Sequence, residues 1–297
     1  MNWISIVLPS AYMALFALVA FAIVWWDWRK RGTRTPFAKD VRLVRTPGER
    51  QLKAIGKTDE AFLVVVLGAA VVPCIVALVI LEGVVRLRGW WIWAGLGLVS
   101  VVFLAAFLFA LRWFILRLHE RGDRYLSYFG ERIVAENLEP LKPAGWRIFH
   151  DVPCETGQER FNIDHIAVGP GGVFSVETKT RRKNGAREGR EDYKVFFDGE
   201  QLSWPWGEDQ LGINAALRGA KWLQQWLEKT TGEKLPVVPV LALPGWAVEA
   251  NAKATLRVVN PSWLPELLNA NGATLLGEKQ IDLCARQLDQ RCRDVEY

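Results

Sequence analysis

Three stretches of the chain, residues 3–26, 61–81 and 90–111, carry no charge, and each runs for more than 20 residues. At about 1.5 Å per residue each can reach across the roughly 30 Å hydrocarbon core of a bilayer. The pattern predicts three transmembrane helices in a membrane domain of residues 1–117, with Pro73 midway along the second. A buried helix of a soluble protein is the alternative for any single run; three such runs argue against it. A signal peptide is the alternative for the first, but no basic residue precedes it and apolar sequence continues past Ala20-Phe21-Ala22 to Trp26.

From about residue 118 the period of the pattern shortens. Leu126, Phe129, Ile133, Val134, Leu138 and Leu141 fall on one face of a helix over 124–141, ended by Pro140 and Pro143. Residues 146–152, 161–169 and 173–180 read as strands, the last two joined as a hairpin through the turn 169–172. A smaller hairpin turns at Asp198-Gly199, and a second helix spans 208–229. The near-continuous apolar run 235–245 suits a central strand. Residues 256–260 read as one more strand, and 261–270 and 278–292 as helices. This order predicts an α/β sandwich, a mixed sheet flanked by helices, with a core over 118–245 and a C-terminal extension over 246–297 packed on it.

Charge separates the two regions. Residues 1–117 carry a balance of +8 and residues 118–297 a balance of −3, so the net +5 comes from the N-terminal part. A basic balance therefore says little about nucleic acid. It does orient the membrane domain. The loop 27–60 holds ten Lys and Arg, whereas the loop 82–89 holds only Arg86 and Arg88. Basic loops stay on the cytoplasmic side, which predicts an inner-membrane, multi-pass protein with its N-terminus outside and its C-terminal domain in the cytoplasm. Eight of the 15 tryptophans fall at the proposed interfaces. No span contains a charge, so the spans read as a bilayer anchor, compatible with a homo-oligomer, rather than an ion pathway. The four cysteines and three histidines show no zinc-site spacing.

The polar positions that interrupt apolar strands are the candidates for chemistry. Asp164 lies within FNIDHIAV, and Glu177 and Lys179 within VFSVETKT. Glu177 and Lys179 are two residues apart and leave the same face; the hairpin brings Asp164 beside Glu177. Two adjacent carboxylates favour a divalent cation, and oxygen ligands suit Mg²⁺ or Mn²⁺. An exposed strand face explains Glu177 and Lys179 equally well as a salt-bridge pair. His165 points away from Asp164 and reads as a packed or surface histidine ahead of a ligand.

These residues resemble a known family. Gly130-Glu131, Ile163-Asp164-His165, Gly172-Val173-Phe174 leading into Glu177-Thr178-Lys179, and Gln210 with Asn214 are similar to the NERD (nuclease-related) domain, a branch of the PD-(D/E)xK nuclease superfamily. The resemblance covers residues 127–226 and implies a restriction-endonuclease-like core. It implies metal ligation by Asp164 and Glu177, a catalytic Lys179, a helix carboxylate at Glu131 and a helix glutamine at Gln210. Trp206-Gly207-Glu208-Asp209 stands where the family has Asn-Pro, and Arg181 to Pro205 departs from the family's Gly-rich stretch.

The basic residues after the lysine, Arg181, Arg182, Lys183, Arg187 and Arg190, fit phosphate contacts, with a solvated loop as the alternative. Trp204, Trp206, Trp222 and Trp226 could stack bases, although the spacing of Trp222 and Trp226 suits a core face better. The expectation is a membrane-tethered nuclease, dependent on Mg²⁺ or Mn²⁺, that hydrolyses phosphodiester bonds of DNA at the cytoplasmic face, with RNA left open as substrate; the alternative is a catalytically inactive module binding nucleic acid or a protein partner at the membrane.

Overall fold

The computed structural model describes residues 4–31, 68, 76, 90–210, 212–250, 254–270 and 275–293. The second predicted span, apart from residues 68 and 76, and most of the basic loop 27–60 lie outside the described residues. The chain divides into two compact units, the boundary falling between Tyr125 and Leu126.

In the first unit, helix α1 spans Ile4–Arg31 over 28 residues. Helix α2, Trp91–Leu138, begins in this unit and runs for 48 residues. The third apolar run and the predicted amphipathic helix are therefore one continuous helix. Tyr12 of α1 meets Phe103 edge-on at 4.8 Å, and Phe16 meets Phe107 at 6.1 Å. Leu18, Phe21, Trp91, Trp93, Leu104 and Phe109 face outward. Three spans were expected; among the described residues one helix, α2 with the 3₁₀ turn Glu139–Ala144, is long and apolar enough to cross a membrane. The described apolar stretch of α1, Ala14–Ile23, is shorter than a span.

The second unit is built on a mixed five-stranded sheet. Its strands are β1 (Arg147–Thr156), β2 (Glu159–Gly169), β3 (Gly172–Thr178), β7 (Val237–Ala242) and β9 (Arg257–Val259), adjacent in that order. β1, β2 and β3 form an antiparallel meander; β7 and β9 add in parallel. The first two strands run longer than the predicted 146–152 and 161–169: residues 154–160 extend their hairpin, which turns at Gly157 in the left-handed conformation (φ 63°). The C-terminal end of α2 covers one face through Val134 and Leu138, which pack with Ala167, Phe174 and Val240. Helices α3 (Ile213–Thr231) and α5 (Glu278–Arg293) cover the other, where Leu223 and Leu227 pack with Ile166 and Val173. A short helix α4, Leu264–Asn269, follows β9.

A second sheet was not anticipated beyond its one hairpin. It orders β6 (Gly207–Asp209), β5 (Leu202–Trp204), β4 (Lys194–Phe197) and β8 (Ala247–Ala250). The hairpin turns where expected, with the Asp198 carboxylate accepting from the amides of Glu200 and Gln201 at 2.8 Å each. Buried Val195, Leu202, Trp204 and Trp246 form its core. Residues 246–297 thus supply a strand to each sheet as well as helices.

Candidate active site

The β2–β3 register sets the centre of the site. His165 pairs with Val176 and Ile166 with Ser175, so continuing the ladder places Asp164 opposite Glu177. The Thr178 amide donates to Asp164 Oδ2 at 2.7 Å, which fixes the carboxyl at this strand end. Lys179 lies just past β3, where its amide donates to the Ala242 carbonyl of β7 at 3.0 Å. Its Nζ stands 3.0 Å from Glu177 Oε1. The expected common face of Glu177 and Lys179 is present, and Asp164 joins them.

Two glycines make close approach possible. A Cβ at Gly130 would overlap Thr180 Cγ2 and sit 3.6 Å from Thr178 Cγ2. Glycine here lets α2 press onto the β3 end and brings Glu131, the next residue, into the electrostatic neighbourhood of Asp164 and Lys179. Gly212 holds φ +88° ahead of α3, and a Cβ there would stand 2.6 Å from Lys179 Cγ. Sequence reasoning used Gly130 only as part of a motif and missed Gly212; the signal was a glycine inside the first of the two packing helices and another just ahead of the second.

The charges are in tension. Burial raises the Asp164 pKa well above the ordinary carboxylate value, and the charges of Glu177 and Glu131 push the same way. The Thr178 amide and Lys179 oppose this without cancelling it. Burial lowers the Lys179 pKa, but Glu177, Asp164 and Glu131 outweigh it and the net direction is upward. With all four groups ionised, three carboxylates and one ammonium leave two negative charges, the amount a divalent cation neutralises. Asp164 and Glu177 fit such an ion as a two-carboxylate site completed by water, the usual form for Mg²⁺. Among the described residues, no group of three or more His, Cys, Asp or Glu side chains could hold a metal ion.

Gln210 corrects the expected helix start. Residues 207–209 pair as β6 against β5, and Trp204 Nε1 donates to Asp209 Oδ1 at 3.1 Å. That pairing prevents a helix at 208, and α3 begins at Ile213. Gln210 is an exposed link residue, not a helix residue, and Asn214 is exposed in the first turn. The basic stretch is divided. Arg181 pairs with Asp209 and lies over Trp204; Arg190 donates to the Trp204 carbonyl at 2.7 Å. Lys183 Nζ lies 5.5 Å from the Trp246 ring, Arg182 is half-buried and Arg187 is exposed. Trp204 is buried and stacked on Trp206 at 5.7 Å. His165 is buried, with its Nδ1 2.7 Å from His150 Nδ1, a packed histidine.

An α/β domain with a mixed sheet, helices on both faces and two carboxylates beside a lysine at one sheet end has the build of a nuclease-like core. Residues 126–244 match the family described as NERD, nuclease-related domain. This part of the chain is therefore similar to nuclease-related domains. No curated protein and no solved structure matches the chain.

Proposed function

We propose that the chain is a membrane-tethered nuclease that hydrolyses phosphodiester bonds of DNA with Mg²⁺ or Mn²⁺ at the cytoplasmic face of the inner membrane. The observation that carries this reading is the convergence of Asp164, Glu177 and Lys179, with Lys179 Nζ 3.0 Å from Glu177 Oε1. Asp164 and Glu177 would hold the ion, with Glu131 adding negative charge from α2. The ion, when bound, supplies a water of lowered pKa and offsets charge on the phosphoryl group. Lys179 contributes its cation: the surrounding carboxylates keep it protonated, so it steadies phosphate oxygens rather than accepting a proton. Arg182, Lys183 and Arg187 would meet the nucleic-acid backbone, while Arg181 and Arg190 hold the second sheet. The outward apolar side chains of α1 and α2 support the tether, because exposed apolar surface on this scale suits lipid. The N-terminus then lies outside and the loop 27–60 inside.

The test is cleavage of duplex DNA, single-stranded DNA and RNA by the full chain in detergent with Mg²⁺ or Mn²⁺. Glu177→Ala and Lys179→Ala should each abolish cutting while the circular dichroism spectrum is retained. Cutting that survives both changes refutes the assignment. A second reading, a non-catalytic module binding nucleic acid or a protein partner, is favoured by the absence of a three-ligand cluster among the described residues. Metal-independent binding with no cutting under either ion selects it.

A further inference from the structure

On the α3–α5 side of the domain, Trp222 and Trp226 form a floor that the nuclease reading does not use. Their rings are 5.7 Å apart and 9° from parallel, a side-by-side pair one helical turn apart. Both are half-buried. They line a groove of about 460 Å³ together with Glu155, Thr156, Gln225, Lys229, Thr230 and Arg291. That volume lies within the range of small-ligand sites. Trp222 was expected to be core; it packs on Phe161 edge-on at 6.2 Å yet keeps part of its surface in the groove.

The polar groups around the floor narrow the occupant. Arg291 lies over the Trp222 ring at 5.8 Å, donates to the Pro153 carbonyl at 3.0 Å and pairs with Glu155 at 3.1 Å. Its charge is therefore met, while Lys229 makes no ion pair among the described residues. The indole N–H of Trp222 donates to the Glu155 carbonyl at 2.8 Å. This indole offers its face and not a donor. A proline-rich peptide needs indole donors for its carbonyls, whereas a nucleobase needs only the face. An unmet lysine beside the floor suits a phosphate.

We propose that this groove is a second nucleic-acid contact, taking unpaired bases of a single strand on Trp222 and Trp226 with a backbone phosphate at Lys229. The inference rests on the reading of nucleic acid as the substrate, and deepens it: a strand reaching both places would present single-stranded or locally opened substrate.

The test uses the full chain in detergent with EDTA and an oligothymidylate of about twelve nucleotides, within the usual site size of single-strand binders, carrying 5-iodouracil. Ultraviolet cross-linking and peptide mass spectrometry should place adducts on Trp222 or Trp226. Trp226→Ala and Lys229→Glu should each weaken binding by about tenfold, the scale of one lost base stack or phosphate contact, and Lys229→Arg should restore it. Lys229→Glu is a surface change and reports even if Trp226→Ala unfolds. Adducts confined to residues 181–190, unchanged binding by Lys229→Glu, or displacement of the oligonucleotide by a proline-rich peptide overturns the proposal. Binding is read without metal, so a chain that binds here but never cuts sinks the catalytic reading alone. One that cuts while Lys229→Glu binds normally sinks the groove alone.

Discussion

Replacing Gly212 by alanine separates two costs that glycine avoids at the site. The first is backbone strain: at φ +88° an L side chain costs about 1–2 kcal/mol. The second is steric, since the new methyl carbon would stand 2.6 Å from Lys179 Cγ and 3.0 Å from Leu241 Cδ1. Leu241 is fully buried and cannot give way. The lysine must move, and its 3.0 Å contact with Glu177 goes with it. Gly232, at the other end of α3, is the control: its φ is +77° and nothing lies within 4 Å of an added Cβ. Gly232→Ala pays the strain without touching Lys179. Both variants should lower the melting temperature by a few degrees, since about 1 kcal/mol shifts a domain of this size by roughly 2–4 °C. Cleavage per folded molecule should fall by about 10–100-fold in Gly212→Ala alone, as expected when a catalytic group is displaced by about 1 Å. Thermal unfolding by circular dichroism and single-turnover cleavage measure the two quantities. Equal cleavage by the two alanine variants refutes the claim that Gly212 positions the lysine.

Asp164→Asn should stabilise the metal-free protein at pH 8. Because its folded pKa is raised, the native carboxyl contributes stability below its unfolded pKa and loses it as pH rises through the folded value, and asparagine keeps an oxygen for the Thr178 amide. The same variant should abolish the Mg²⁺-dependent rise in melting temperature expected of the unmodified chain, about 2.7 kcal/mol at one hundred times the dissociation constant; an unchanged Mg²⁺ response excludes Asp164 as a ligand. The His150–His165 pair should weaken the fold in acid. Burial, aided by Lys142, lowers the His150 pKa from 6.5 to about 4, and burial, aided by His150, holds His165 well below its ordinary value. Both imidazoles stay neutral in the folded chain while the unfolded chain takes up protons, so stability is full above pH 6.5 and falls as pH drops toward 4. His150 alone accounts for about 3 kcal/mol of that loss. Urea midpoints across this range that do not move would show that the pair is not held neutral.

The strands that carry the candidate site were legible because the sheet leaves few ways to place a charge inside an apolar run. Asp164, Glu177 and Lys179 each broke such a run, and alternation with hairpin pairing was enough to bring them together. Glu131 was harder, since a carboxylate on an amphipathic helix is ordinary; what brings it near is Gly130, a packing fact across elements that periodicity does not encode. Gln210 failed for a related reason. Residues 208–210 have no strong preference of their own, and the Trp204–Asp209 bond together with the β5 ladder decides for strand. The same tertiary commitments tie Arg181 and Arg190 to the second sheet.

The second sheet and the candidate site therefore share one segment with two duties. β3 ends at Thr178, Lys179 is anchored by the β7 carbonyl of Ala242, and two residues later Arg181 is locked to Asp209 of β6. From that point the chain builds the second sheet before returning through Gly212 against Lys179. Lys179 is thus held from both directions, by the strand that precedes it and by the end of the insertion that follows. This clamp accounts for an ammonium kept close to Glu177 when a long lysine side chain would otherwise lose about 2 kcal/mol of rotamer freedom on ordering. Its geometry is imposed by a backbone bond and a left-handed glycine, neither of which depends on the charges the lysine faces. On the proposed nuclease reading, the lysine would therefore remain in place if the carboxylates turned from it toward a cation.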